Sequence, residues 1–196
     1  SDDSLTTIVL NDWNNAYSNK NTPLGKRFSD EFYRGFHLAT EEERGSTMNL
    51  NILDESLSTV SWTRTQNDPD FIVIQLKNKL LPNQKLKLHL SYISKIPSDK
   101  FTKYGYNATG AMNPKNWFLT PARYENHGFI RYNNNNLDDI ANAVSDFDIE
   151  LKTPKNSLVT TDLNSTISNS NDSYEDYRLS GNNRTDFSLF TEPQMS

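Results

Sequence analysis

Most of this chain alternates apolar and polar side chains with the period of a β-strand. Over residues 84–94 the alternation is strict: Leu86, Leu88, Leu90 and Tyr92 fall on one side, Lys85, Lys87, His89 and Ser91 on the other. That is the pattern of a half-buried antiparallel strand. Residues 71–76 form an almost continuous apolar run, Phe-Ile-Val-Ile-Gln-Leu, which suits a strand buried on both faces. Pro82-Asn83 between the two runs is a turn signal, so the two segments are expected to pair as a hairpin across residues 77–83. Further strands are expected at residues 47–53, 59–65, 129–132, 147–153, 158–163, 174–180 and 185–191. Their spacing is that of a sandwich or barrel. The expected fold is all-β, an antiparallel β-sandwich with one or two short helices.

One helix is expected after Asn136, which can cap it. Asp138 and Asp139 suit its first turn, and Leu137, Ile140, Ala141 and Val144 fall at i, i+3, i+4 and i+7. A second helical turn is expected over residues 12–17. The first forty or so residues are less patterned, and residues 164–172 read as a polar loop. The chain has 25 Asn against 7 Gly. Asn tolerates the left-handed region and bonds nearby backbone, so Asn is expected at turns where other chains place Gly.

Composition removes several classes of function. The chain has 196 residues, 34% of them hydrophobic, with 23% charged and a net charge of −5. That is enough apolar surface for a folded core and too little net charge for a disordered acidic tail. An acidic balance argues against a nucleic-acid partner, which needs a concentrated basic patch. The densest basic stretch, residues 77–87, spaces its Lys among apolar positions and reads as a solvated strand face. Cys is absent, which excludes disulfides, thiolate zinc sites and thiol nucleophiles. No apolar run approaches the ~20 residues of a membrane span. The chain opens Ser-Asp-Asp without Met, which reads as a trimmed or processed start.

Catalytic signals are weak. The three His, His37, His89 and His127, lack the i, i+4 spacing of a helical zinc pair. His89 lies on the Lys side of its strand and reads as a surface residue. Glu125 and His127 would share a strand face and are expected to form a structural hydrogen-bonded pair. The carboxylate pairs Asp138-Asp139 and Asp146/Asp148 are explained by a helix start and by a solvent-facing strand. No phosphate loop and no Gly-x-Ser-x-Gly elbow occur. Trp117, Phe118, Tyr124, Phe129 and Tyr132 crowd one segment, preceded by Tyr104 and Tyr106. Such aromatics fill a core, pack on a neighbouring domain or stack on sugars.

The order of segments has a family resemblance. A strand ending Leu90-Ser-Tyr92 is followed by Tyr104-Gly-Tyr106, by Trp117-Phe-Leu-Thr-Pro-Ala-Arg-Tyr124 and by another strand. Then come Asp148-Ile-Glu-Leu-Lys-Thr-Pro154, Leu158-Val-Thr-Thr161 and two last strands ending Arg184-Thr-Asp-Phe-Ser-Leu-Phe190. In this order and spacing, residues 44–192 resemble the N-terminal domain of M1-family zinc aminopeptidases, especially those of the Bacteroidetes type. The resemblance implies a saddle-like β-sandwich seated over the active site of a following thermolysin-like domain. Residues 1–43 would then be an arm or first strands, and residues 193–196 a tail toward that domain.

The same resemblance implies no catalytic residue, metal or cofactor in this chain, with zinc in the catalytic domain. It implies that domain of the same polypeptide and a peptide substrate as partners, and an extracytoplasmic bacterial location, periplasmic or secreted. His-Glu-x-x-His does not occur here. Gly110-Ala-Met-Asn113 echoes half of the family's Gly-x-Met-Glu-Asn but continues with Pro114 and lies upstream of the family's position, and it reads as coincidence. Many family members hold the substrate's amino group with a Glu or Gln just before the Ala-Arg. Here those positions are Leu119, Thr120 and Pro121, and the nearest carboxylate is Glu125. Thr120, Arg123, Tyr124 and Glu125 are therefore the substrate-proximal candidates, and Trp117 and Phe118, with Tyr124, the candidates for a domain-docking face. The alternative is a free-standing carbohydrate- or surface-binding β-sandwich module that uses Trp117 or Tyr124.

Overall fold

The computed structural model describes residues 3–65, 67–114, 117–131 and 141–193. Among these residues it has antiparallel sheets, two short α-helices and one 3-10 turn. The all-β expectation and its sandwich character hold. The chain divides into two compact units: Ser1–Pro97 with Trp117–Ala143, and Ser98–Asn116 with Val144–Ser196.

The first unit is built on β1 (Leu5–Asn11). β1 pairs antiparallel with β4 (Phe71–Leu80) on one side and with β6 (Thr120–Pro121) on the other. β3 (Trp62–Thr63) adds to the far edge of β4, which gives the order β3-β4-β1-β6. A second pair, β2 (Ser46–Asp54) with β5 (Leu88–Lys95), faces this sheet. Leu10, Ile52, Val60, Ile72 and Ile74 are all at most 5% exposed and form the core between the two. Leu88 and Leu90 pack against it from β5, as the alternation predicts, while His89 and Ser91 point to solvent. The opposite face of β1 and β4 is also covered, by a cluster of Val9, Phe71 and Ala122 with Val73 and Phe129. Burial on both faces accounts for the continuous apolar run of β4.

The expected β4–β5 hairpin is not formed. Both edges of β4 are taken, by β1 and β3, and β5 pairs with β2. The chain turns at Pro82-Asn83, with Asn83 at φ 63°, and crosses from one sheet to the other, so β4 and β5 meet through side chains. β1 lies in the stretch that shows little pattern. Its Ile-Val-Leu run is too short to separate strand from helix by period. The turn expected over residues 12–17 is present as a 3-10 turn, Trp13–Tyr17. Two helices follow that the periodicity did not indicate. α1 (Pro23–Asp30) starts on a Thr22 cap that accepts from the Gly25 N–H at 3.0 Å, with Pro23 in its first turn. α2 (Arg34–Leu38) buries Phe36.

The second unit holds two sheets. One has the order β11-β12-β9, from β9 (Ser145–Pro154), β11 (Asn164–Ser170) and β12 (Tyr174–Arg184). The other pairs β10 (Ser157–Thr161) with β13 (Leu189–Pro193). Phe147 and Phe187 meet edge to face at 5.0 Å, and Leu163, Leu179 and Leu189 are buried. β11 corrects the loop expected at residues 164–172. It is an edge strand exposed along its whole length, with Ile167 its one aliphatic side chain, and it is held in register by β12. Asp146 and Asp148 face solvent from β9, as expected. The strands expected at residues 59–65 and 185–191 are shorter, as β3 and β13. The helix expected after Asn136, with Asp138 and Asp139, falls outside the described residues except for residues 141–144. There Asn142 bridges to Ala122.

Asp12, just after β1, joins four segments of the first unit and is 2% exposed. Its N–H donates to the Asp70 carbonyl at 2.7 Å. Its carboxylate accepts from Thr47 Oγ1 at 2.6 Å and from the Arg64 guanidinium at 2.5 Å. Removing one partner of a buried pair costs about 3–5 kcal/mol, so Asp12→Ala is expected to destabilise the chain by that amount in urea unfolding. Ile93→Ser, at a half-exposed strand position (52%), is expected to stay within about 0.5 kcal/mol.

Candidate functional site

Residues 117–131 carry the candidate side chains and lie in the first unit. Trp117 enters at the rim of the core and is 4% exposed. Its indole stacks on Trp13 with ring centroids 4.6 Å apart, and Tyr17 meets it edge-on at 5.8 Å. Its carbonyl accepts from Ser94 Oγ. The ring is thereby committed to the core, with neither face open to a sugar or to a docking domain, whereas Phe118 is half-buried. Leu119 donates its N–H to the Tyr92 hydroxyl at 3.0 Å. Burial pushes the Tyr92 phenol up from its ordinary value.

Thr120 lies on β6 and is buried. Its hydroxyl donates to Asn142 Oδ1 at 2.7 Å. Asn11 Nδ2 donates to the same oxygen at 2.9 Å and to the Ala141 carbonyl at 3.3 Å. This polar knot pins residues 141–143 against β1 and β6. It employs the Thr120 hydroxyl internally, in a structural role.

Beyond it the chain makes a small hairpin, β7 (Tyr124–Glu125) with β8 (Gly128–Phe129). The two turn residues, Asn126 and His127, have φ of 49° and 64°, the left-handed pair that a tight two-residue hairpin needs. Arg123 and Glu125 project outward and pair with each other, Nε to Oε1 at 2.8 Å, both side chains nearly half exposed. The expected Glu125–His127 pair is not formed: Arg123 takes the carboxylate, and the turn swings His127 to Asp3. Tyr124 packs edge to face on Phe129 at 4.9 Å and donates its hydroxyl to Asp3 Oδ2 at 2.7 Å. His127 Nδ1 lies 2.8 Å from the same oxygen. The Tyr124 hydrogen bond, then that of His127, hold the Asp3 carboxyl below its ordinary value of 3.8. The same bond pushes the Tyr124 phenol up. Asp3 is the member of this cluster that the sequence did not suggest, since it lies 121 residues from Tyr124 in the chain.

Gly110-Ala-Met-Asn113 belongs to the second unit and has a structural use there. Gly110 turns the chain at φ 81°, and Met112 bridges to Thr191. Among the described residues no group of three His, Asp or Glu is placed to hold a metal ion. His37 lies on α2, His89 on β5 and His127 in the turn between β7 and β8. No described helix is long and apolar enough to cross a membrane.

No family model and no curated protein matches the chain. Among solved structures it is similar to a two-domain M1 zinc metallopeptidase, determined as a mutant bound to L-arginine. The TM-score is 0.42 at 14% identity, over 76% of this chain and 37% of that one. The chain thus spans little more than a third of that protein's length, and a likeness at this score assigns it neither family nor activity.

Trp117→Ala removes a core ring and is expected to cost about 3–5 kcal/mol, read as a lowered urea midpoint. An unchanged midpoint would mean that the ring is not held in the core. The Asp3 cluster sets a pH dependence. A carboxylate with a lowered folded pKa stabilises above its unfolded value and loses that contribution as pH falls through the folded value. The Asp3 carboxylate therefore contributes its full hold on the β7–β8 turn above about pH 4 and gives it up as pH falls further, through the lowered folded value. Tyr124→Phe is expected to move the Asp3 titration, followed by carboxyl 13C NMR, up toward its ordinary value.

Proposed function

We propose that this chain is a non-catalytic β-domain of an M1-type zinc aminopeptidase, packing on a zinc catalytic domain and helping to shape the site that receives peptide N-termini. The observation that supports this reading is the presentation of the Arg123–Tyr124–Glu125 segment, which the sequence resemblance puts nearest to substrate. It stands on the solvent side of the first unit, on a short hairpin backed by the Thr120–Asn11–Asn142 knot.

Glu125 is the carboxylate that receives the substrate's ammonium in this reading. It is held by Arg123 in the free chain. An exposed ion pair is worth only about 0–1 kcal/mol, so an incoming ammonium exchanges for the guanidinium at small cost. Arg123 then stays beside the carboxylate as its alternative partner. Thr120 acts through the backbone it fixes, not by touching substrate.

The test starts from the native polypeptide. An antibody raised on this chain is expected to recover from source cells a zinc-bearing protein, longer by a catalytic domain, that hydrolyses aminoacyl anilides. Glu125→Gln in that protein is expected to raise KM about tenfold with kcat nearly unchanged. Recovery of a polypeptide of this chain's own length without hydrolytic activity would overturn the proposal.

A further inference from the structure

A cleft of about 590 Å³ opens in the first unit between the 3-10 turn, the start of α1 and the segment after β3. Its volume lies within the roughly 300–1,000 Å³ usual for small-molecule sites. Such sites are mostly apolar, whereas this wall is made of amides, hydroxyls and cations. Asn21, Asn67, Ser18 and Thr65 line it together with Lys26 and Arg64. Among the described residues no aromatic ring lines it, so they offer no stacking platform for a neutral sugar, and the carboxylate beside it, Asp68, is engaged by the Thr65 hydroxyl at 3.3 Å.

The charge balance of the wall is specific. Arg64 is neutralised from behind by Asp12, whose side chain is 1% exposed, and its guanidinium also donates to the Pro69 carbonyl. Lys26 is exposed and has no acidic partner among the described residues. It is therefore the cation of this wall that no described carboxylate pairs, in a chain of net charge −5. The floor is held before any ligand arrives. Asn15 Nδ2 donates to the Pro69 carbonyl at 2.7 Å, and Thr22 Oγ1 donates to the Ala16 carbonyl at 2.7 Å. Held groups lose little freedom on binding.

We infer that this cleft binds a hydroxylated ligand carrying a single oxyanion, such as a sugar acid or a sugar phosphate. The oxyanion takes the Lys26 ammonium through a charge-assisted hydrogen bond, and the ligand's hydroxyls meet the Asn21 and Asn67 amides and the Ser18 hydroxyl. This site is independent of the aminopeptidase reading and requires no second domain.

The test is a titration of the 15N-labelled chain with glucuronate, glucose 6-phosphate and glucose. Saturable shifts at the Asn21, Lys26 and Thr65 amides are expected with one or both anions at millimolar concentration and not with glucose. Whichever anion is preferred identifies the oxyanion as carboxylate or phosphate. Lys26→Ala is expected to weaken binding about fivefold or more with an unchanged melting temperature, and Lys26→Arg to restore most of it. The inference is overturned by the absence of saturable shifts, by equal response to glucose, by shifts centred on Lys77–Lys87 instead, or by unaltered affinity in Lys26→Ala.

Discussion

The first unit depends on one buried carboxylate. Asp12 ends β1, and its three contacts reach the start of β2, the segment after β3 and the start of β4. A carboxylate at 2% exposure is tolerated only when its lone pairs are matched, and here a hydroxyl and a guanidinium match them. Because the partners come from both sheets, the geometry that satisfies Asp12 also fixes how the sheets meet at that end. Sliding β1 by one residue would leave Asp12 unpaired and would exchange its two apolar faces.

That fixed end explains the connectivity. β1 and β4 are buried on both faces and occupy the centre of their sheet, so the chain after β4 cannot fold back as a hairpin and crosses to the opposite sheet. The segment 117–121 makes the corresponding crossing at the other side. It hydrogen-bonds Ser94 and Tyr92 of β5 at its start and pairs with β1 at its end. A segment with both ends anchored in this way is a rigid base, and the β7–β8 hairpin that follows inherits its position from it. The exposed Arg123 and Glu125 are therefore placed by core contacts made several residues earlier, which is the arrangement expected of a site carried on a scaffold.

How much of this was legible in the sequence differs by element. Strict alternation located the inward side of β5, and the continuous apolar run located β4, because each pattern reports burial directly. Partner choice is not encoded in either pattern, and the expected β4–β5 hairpin failed on that point. β11 has almost no apolar signal because an edge strand can be templated entirely by its neighbour's backbone. α1 did carry a signal, a Thr cap followed by Pro, that a search for periodicity passes over. The excess of Asn over Gly was informative: Asn49, Asn83, Asn126, Asn156 and Asn183 take positive φ among the described residues, against one glycine, Gly110. At the candidate site, residue types were legible and partnerships were not. Glu125 and His127 share a short segment but turn to Arg123 and to Asp3, and Asp3 comes from the far end of the chain.

The Asp12 contact also shapes the chemistry of the surface. A lone arginine lining a cleft would dominate its field, but Asp12 cancels Arg64 at contact distance, and at longer range the pair acts as a weak dipole. The cation of the wall that no described carboxylate pairs is Lys26, on a helix whose position follows from the Thr22 cap and from Leu24 and Phe28 packing inward. The Arg123–Glu125 pair is the opposite case: both partners are in water, their attraction is small, and either can be exchanged. The two arginines thus differ in role through burial alone. Arg64 is fixed because releasing it would strand a buried carboxylate. Arg123 is free to yield because the carboxylate it holds is solvated whether or not it stays.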